Sequence, residues 1–214
     1  MPFANRRPGV ADILYVMATE LEYGPALKSR ITPLITGVGP VEAAVSLTEH
    51  LTRLSVDDKL PLLVVSLGSA GSAQLEQCGL YQASEVSWRD MDATVLGFER
   101  GVTPFLNEPA THRLGPFVPG IPTATLSTGA NVVSGRGYDP IVEHMVDMET
   151  YAVLRACQRF GLPIIALRGI SDGDQELGTL AGWTQYLGII DVKLGEAVDR
   201  LEAAVAEGTL AWES

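Results

Sequence analysis

A three-layer α/β sandwich is the fold this sequence predicts, and three observations predict it. Short apolar runs bounded by turn residues recur along the chain, as strands do. Several of these runs are apolar at every position and alternate with helical spacing, which requires a sheet covered on both sides. At 214 residues, 46% hydrophobic and only 19% charged, the chain has the size and composition of one domain over 1–214 that buries its core without metals or disulfides. So few charges also predict that some apolar surface is covered by a second copy of the chain, a homodimer.

The run DILYVMA predicts a strand over 12–18, and ITPLIT a second over 31–36. Helical spacing follows at 41–54, then LLVVSL marks a strand over 62–67, with further strands over 83–88 and 122–127. A helix over 148–160 is ended by Gly161 and Pro163; the strand PIIAL follows over 163–167, and amphipathic spacing predicts a last helix over 182–206. Between 103 and 122 the sequence TPFLNEPATHRLGPFVPGIP has no period and predicts a long surface loop, a candidate lid or subunit contact.

Several function classes drop out early. A net charge of −11 disfavours nucleic acid, whose binding depends on clustered Lys and Arg. No apolar run approaches the roughly 20 residues of a membrane-spanning helix, and the opening MPFANRRPGVAD lacks the apolar stretch of a signal peptide, so a cytoplasmic location without membrane association is expected. Cys78 and Cys157 are isolated and His50, His112 and His144 scattered, outside any metal-ligand spacing, so neither a metal nor a nucleophilic thiol is expected.

Three glycine-containing turns follow apolar runs: Thr36-Gly37-Val38-Gly39-Pro40, Gly68-Ser69-Ala70-Gly71-Ser72 and Thr128-Gly129-Ala130-Asn131. Glycine after a strand lets backbone N–H groups approach a ligand, and ligands of open α/β sheets gather beyond strand carboxyl ends. Neither the dinucleotide fingerprint nor the phosphate-loop motif is present, which argues against NAD and ATP as cofactors; no cofactor is expected.

The carboxylates carry more information. Glu20 and Glu22 follow the first strand, Asp90 and Asp92 follow Trp88, Glu149 opens a helix and Asp172 follows the last strand. Any one of them serves equally as a helix cap or a solvated charge. Several at strand ends point to one acidic pocket.

Taken in chain order, Ala18-Thr19-Glu20-Leu21-Glu22, Thr36-Gly37-Val38-Gly39, Gly68-Ser69-Ala70-Gly71, Asp90-Met91-Asp92-Ala93-Thr94, Asp147-Met148-Glu149-Thr150-Tyr151-Ala152 and Arg168-Gly169-Ile170-Ser171-Asp172 resemble the nucleoside phosphorylase and nucleosidase superfamily. Within it they are most similar to the 5'-methylthioadenosine/S-adenosylhomocysteine nucleosidases. The paired M-E-x-x-A and R-x-I-S-D motifs are the specific part. The resemblance implies an α/β/α sandwich with a central mixed sheet, assembled as a dimer in the hydrolases, and a small-molecule nucleoside as partner.

It also implies roles. Asp172, beside Ser171, corresponds to the acid that protonates purine N7, a task for which burial must keep a carboxyl protonated at neutral pH. Glu149 corresponds to the ribose-binding carboxylate, with Met148 against the sugar face. Glu22 corresponds to the base that activates water, and Glu20 competes for that role by proximity. Gly68, Ser69, Val132, Val133, Asp147 and Arg168 complete the expected substrate contacts. Where the hexameric phosphorylases hold phosphate with arginines, this chain has Ser66 and the first-strand acids, which favours hydrolysis over phosphorolysis.

The chain also departs from the family. The segment between Glu22 and Thr36 is short, the region between Gly101 and Pro122 lacks the usual long helix, and valines stand where an aromatic commonly stacks on adenine. These leave the tail preference and the purine open. The leading expectation is hydrolysis of 5'-methylthioadenosine, S-adenosylhomocysteine or 5'-deoxyadenosine. A futalosine hydrolase, a phosphorylase and a non-catalytic nucleoside binder are the alternatives.

Overall fold

Two long parallel strands, β3 (Leu63–Gly71) and β8 (Ile164–Asp172), form the middle of the protein and pair from Val64 opposite Ile164 to Gly71 opposite Asp172. The computed structural model describes residues 9, 12–173 and 179–211; most of the opening stretch read for a leader lies outside them. The remaining strands are β1 (Ile13–Met17), β2 (Leu34–Ile35), β4 (Leu80–Trp88), β5 (Thr111–Arg113), β6 (Thr123–Thr128) and β7 (Met145–Asp147). The helices are α1 (Pro25–Lys28), α2 (Pro40–Val56), α3 (Thr150–Phe160), α4 (Leu180–Thr184) and α5 (Leu187–Glu207).

The sheet is mixed, as expected. On one side β3 continues in parallel to β1 and then β2. On the other, β8 runs antiparallel to β4, which is parallel to β6 and antiparallel to β5, and β6 is parallel to β7. Val146 of β7 then pairs antiparallel with Gly71 of β3. Strands β3, β8, β4, β6 and β7 therefore close into a ring, a consequence of twist accumulating over long strands. The sequence did not predict this closure.

Alternate residues of the central strands feed two cores. Val16, Val64, Ile164 and Ala166 pack with Ala43, Leu47 and Leu51 of α2 and Val153 and Cys157 of α3. Tyr15, Met17, Leu63, Val65, Ile165 and Leu167 pack with Leu27 of α1 and Leu194, Val198 and Leu201 of α5. The period of two sends neighbouring side chains to opposite faces, so helices on both sides are needed to cover them.

Three expectations need correction, and one strand was not foreseen. The Gly68–Gly71 stretch is strand rather than turn, because its partner β8 runs on to Asp172 and keeps it paired. The predicted helix over 182–206 is two helices, α4 and α5, meeting near Gln185 and Tyr186. The stretch 103–122 is not a free surface loop. It contains β5, its Val118 and Ile121 are buried, and the Gln82 side chain bonds the backbone of Val118 and Ile121. Strand β7 was missed because three residues are too few for a period to show.

Candidate active site

Glu22 sits in the turn between β1 and α1, where the amides of Glu22 and Tyr23 bond the carbonyls of Thr19 and Glu20. That turn leaves Glu20 in solvent and carries Glu22 inward, to 8% exposure. Oε1 of Glu22 accepts from the Ser69 amide at 2.7 Å and the Ser69 hydroxyl at 2.5 Å. Gly68 is tight here: a Cβ would stand 3.2 Å from Oε2 of Glu22. Burial raises the Glu22 pKa; the Ser69 bonds and the Arg168 charge oppose the rise.

Glu149 is the residue on which α3 starts. Its Oε1 accepts from the Gly39 amide at 2.8 Å, in a turn where Gly37 and Gly39 have φ of 92° and 95°, conformations that suit glycine. Burial, and then the Asp147 carboxylate, push Glu149 up to about 7. Asp147 points the other way. It caps α3 by accepting from the Thr150 amide and hydroxyl, takes the Thr128 hydroxyl, and pairs with Arg168 at 3.0 Å.

Arg168 is 2% exposed, and each of its side-chain nitrogens bonds a protein acceptor: Asp147, Ser66, Thr150 or the Leu167 carbonyl. Expected among the substrate contacts, it lies behind Asp147 and Glu22, without lining the main cleft.

Asp172 ends β8. Its Oδ1 accepts from the Ser171 hydroxyl at 2.5 Å, and its Oδ2 lies 3.5 Å from the Tyr138 hydroxyl. Burial raises its pKa, and both hydroxyls oppose the rise. Gly71 makes this approach possible, since a Cβ there would meet the Tyr138 oxygen at 2.2 Å and Asp172 Oδ2 at 2.8 Å.

The turn after β6 supplies another wall. Arg89 holds it, donating to the carbonyls of Ser127 at 2.6 Å, Asp147 at 3.1 Å and Asn131 at 2.8 Å, while Asp90 accepts from the Ala130 amide. Val132 is left 67% exposed at the mouth, and Val133 turns in at 6%.

These elements enclose a cleft of about 630 Å³, inside the roughly 300–1,000 Å³ of small-molecule sites. Of the expected residues, Glu22, Ser69, Val132, Val133, Asp147, Met148, Glu149, Ser171 and Asp172 line it. Gly68 and Arg168 line instead a cavity of about 10 Å³ adjoining it, bordered also by Glu22, Ser69 and Glu149. That is about the space of one water molecule. None of residues 103–122 borders the cleft within this chain.

Sequence reasoning missed Trp183, which lines the cleft from α4, and Tyr138 and Arg89, which brace its acid and its wall. Trp183 was legible only as an aromatic near a helix start; Tyr138 and Arg89 gave no signal. Among the described residues no group of His, Cys, Asp and Glu could hold a metal, and no helix is long and apolar enough to cross a membrane.

A family model described as the phosphorylase superfamily matches residues 138–194, the segment carrying Glu149, Arg168 and Asp172. The 5'-methylthioadenosine/S-adenosylhomocysteine nucleosidase of Halalkalibacterium halodurans is 28% identical over 162 residues, 66% of this chain and 67% of the relative. Among solved structures, a Helicobacter pylori nucleosidase of that name, complexed with a substituted pyrrolidinol, superposes with a TM-score of 0.74 at 19% identity, covering 93% of this chain and 99% of that one. A Helicobacter pylori futalosine hydrolase mutant gives 0.72 at 18% identity, covering 91% and 98%. At these identities the two superpositions establish a shared fold and do not choose between substrates.

Proposed function

The chain belongs to the phosphorylase superfamily, and from that premise we propose that it is an N-glycosyl hydrolase releasing adenine from 5'-methylthioadenosine, S-adenosylhomocysteine or 5'-deoxyadenosine. One observation carries the reading. Glu22, Glu149 and Asp172, from three separate parts of the sequence, line one cleft, and a water-sized cavity adjoins it beside Glu22.

The chemistry divides among the three acids. Asp172, whose burial favours its protonated form, gives its proton to purine N7, so that the base leaves as a neutral molecule. Glu149, once ionised, accepts from the ribose hydroxyls and stabilises positive charge as it grows on the sugar ring. Glu22 takes the proton of a water that attacks C1'. A space of about 10 Å³ is about that of one water molecule, and the Arg168 donors at its border are all taken by protein acceptors, which supports hydrolysis.

The test is a panel of those three nucleosides with futalosine added, scored by chromatography of the released base, with and without phosphate. Adenine is expected without added phosphate. Release that requires phosphate would make the protein a phosphorylase, and calorimetric binding without release would make it a nucleoside binder. Assembly is a separate proposal. Leu21, Val38, Val41 and Val45 leave an exposed apolar rim at the cleft and along α2, and we expect a homodimer to cover it. Light scattering that shows only monomer at micromolar concentration overturns that.

A further inference from the structure

Ser69 stands between two cleft side chains. Its hydroxyl donates to Glu22 Oε1 at 2.5 Å and accepts from the Trp183 indole N–H at 3.1 Å. An indole nitrogen is a donor only, so the Ser69 proton has to turn away from Trp183, and the acceptor it meets is Glu22. The Ser69 amide donates to that same oxygen at 2.7 Å. Oε1 thus receives two hydrogen bonds, while no donor among the described residues bonds Oε2, which lies close against Gly68.

We propose that Trp183 is a positioning residue: acting through Ser69, it reserves Glu22 Oε1 as an acceptor and leaves Oε2 as the oxygen that takes the proton from water. This rests on the hydrolase reading of the same site. In that step a water O–H bond breaks and its proton passes to Oε2 as the water oxygen bonds C1'. The glycosidic electron pair leaves with the base, which Asp172 has protonated. Ser69 does not have to turn during the transfer. The other charged groups facing Glu22 are Arg168 of β8, Asp147 of β7 and Glu149 at the head of α3, and the variants below leave all three in place.

Trp183→Phe keeps an aromatic ring on the cleft wall and removes the donor. Loss of one neutral hydrogen bond predicts a fall in kcat of roughly three- to tenfold, with KM within about twofold. Because the Ser69 bonds favour ionised Glu22, weakening them moves the acid limb of the kcat profile to higher pH. If Trp183 acts through Ser69, the double variant Ser69→Ala, Trp183→Phe is no slower than Ser69→Ala alone. Losses that multiply in the double variant, or an unmoved acid limb in Trp183→Phe, overturn the proposal. A second readout does not need turnover: carbon-13 NMR titration of the Glu22 carboxyl, assigned with Glu22→Gln. A midpoint raised in Trp183→Phe supports the inference even if no nucleoside is cleaved, and the hydrolase reading then fails alone. An unmoved midpoint in a chain that does cleave nucleosides sinks the inference alone.

Discussion

The amide of Gly39, just ahead of α2, donates to Oε1 of Glu149 at the head of α3, so one hydrogen bond joins two elements more than a hundred residues apart. That bond and the Arg168 charge both favour the carboxylate, yet burial and Asp147 outweigh them and bring Glu149 to about 7. The sign of the consequence is fixed. A carboxyl whose folded pKa exceeds its unfolded value of 4.5 binds protons more tightly when folded, so its contribution is present below about 4.5 and lost as pH rises through about 7. Glu149→Gln still accepts from Gly39 and removes the charge. Thermal melts should place the variant roughly 5 °C above the parent at pH 8, with the gap closing toward pH 5. A gap that widens toward acid contradicts the assignment.

Asp172→Asn keeps the shape and the Ser171 bond but has no proton to give. Adenine release should fall by about 10²–10⁴-fold, the usual worth of a general acid. Calorimetry on the variant should still show nucleoside binding within about tenfold of the parent. A variant that retains turnover would remove Asp172 from the chemistry.

Gly129 is where Arg89 crosses the wall of the cleft. A Cβ there would lie 2.5 Å from Arg89 Nε and 2.6 Å from Cζ, distances no real Cβ keeps. Gly129→Ala therefore has to move the Arg89 clamp and, with it, Val132 and Val133. Steady-state kinetics should show KM raised by roughly tenfold and kcat changed less, because the acids themselves are not displaced.

Arg168 and Asp147 form an ion pair with side chains 2% and 1% exposed. Arg168→Met leaves the Asp147 charge buried beside two hydroxyls and no cation. Breaking such a pair costs about 3–5 kcal/mol. Urea denaturation should register a loss of that size, and a near-neutral result would mean the pair contributes little to stability.

Most of the layered fold was legible. Leu63, Val64 and Val65 in β3 and Ile164, Ile165, Ala166 and Leu167 in β8 are apolar on both faces, and only a covered sheet accommodates that. Strands β5 and β7 were not legible, since three residues carry no period and are held by their neighbours. The candidate acids stood out because each follows or opens an apolar element. Arg168 looked like one of the same motif's contacts, and its lack of a free donor is visible only once Ser66, Asp147 and Thr150 surround it.

By itself the sequence determined the alternation of strands and helices, the acidic character of the strand ends and the poverty of phosphate-gripping cations, because periodicity and composition are local properties of the chain. Tertiary structure alone decided that β7 closes on Gly71, that Ser66, Asp147 and Thr150 take up the Arg168 donors, and that Trp183 reaches Ser69. The physical reason is that hydrogen bonds and burial depend on distances between residues far apart in sequence, which packing sets and no local pattern records.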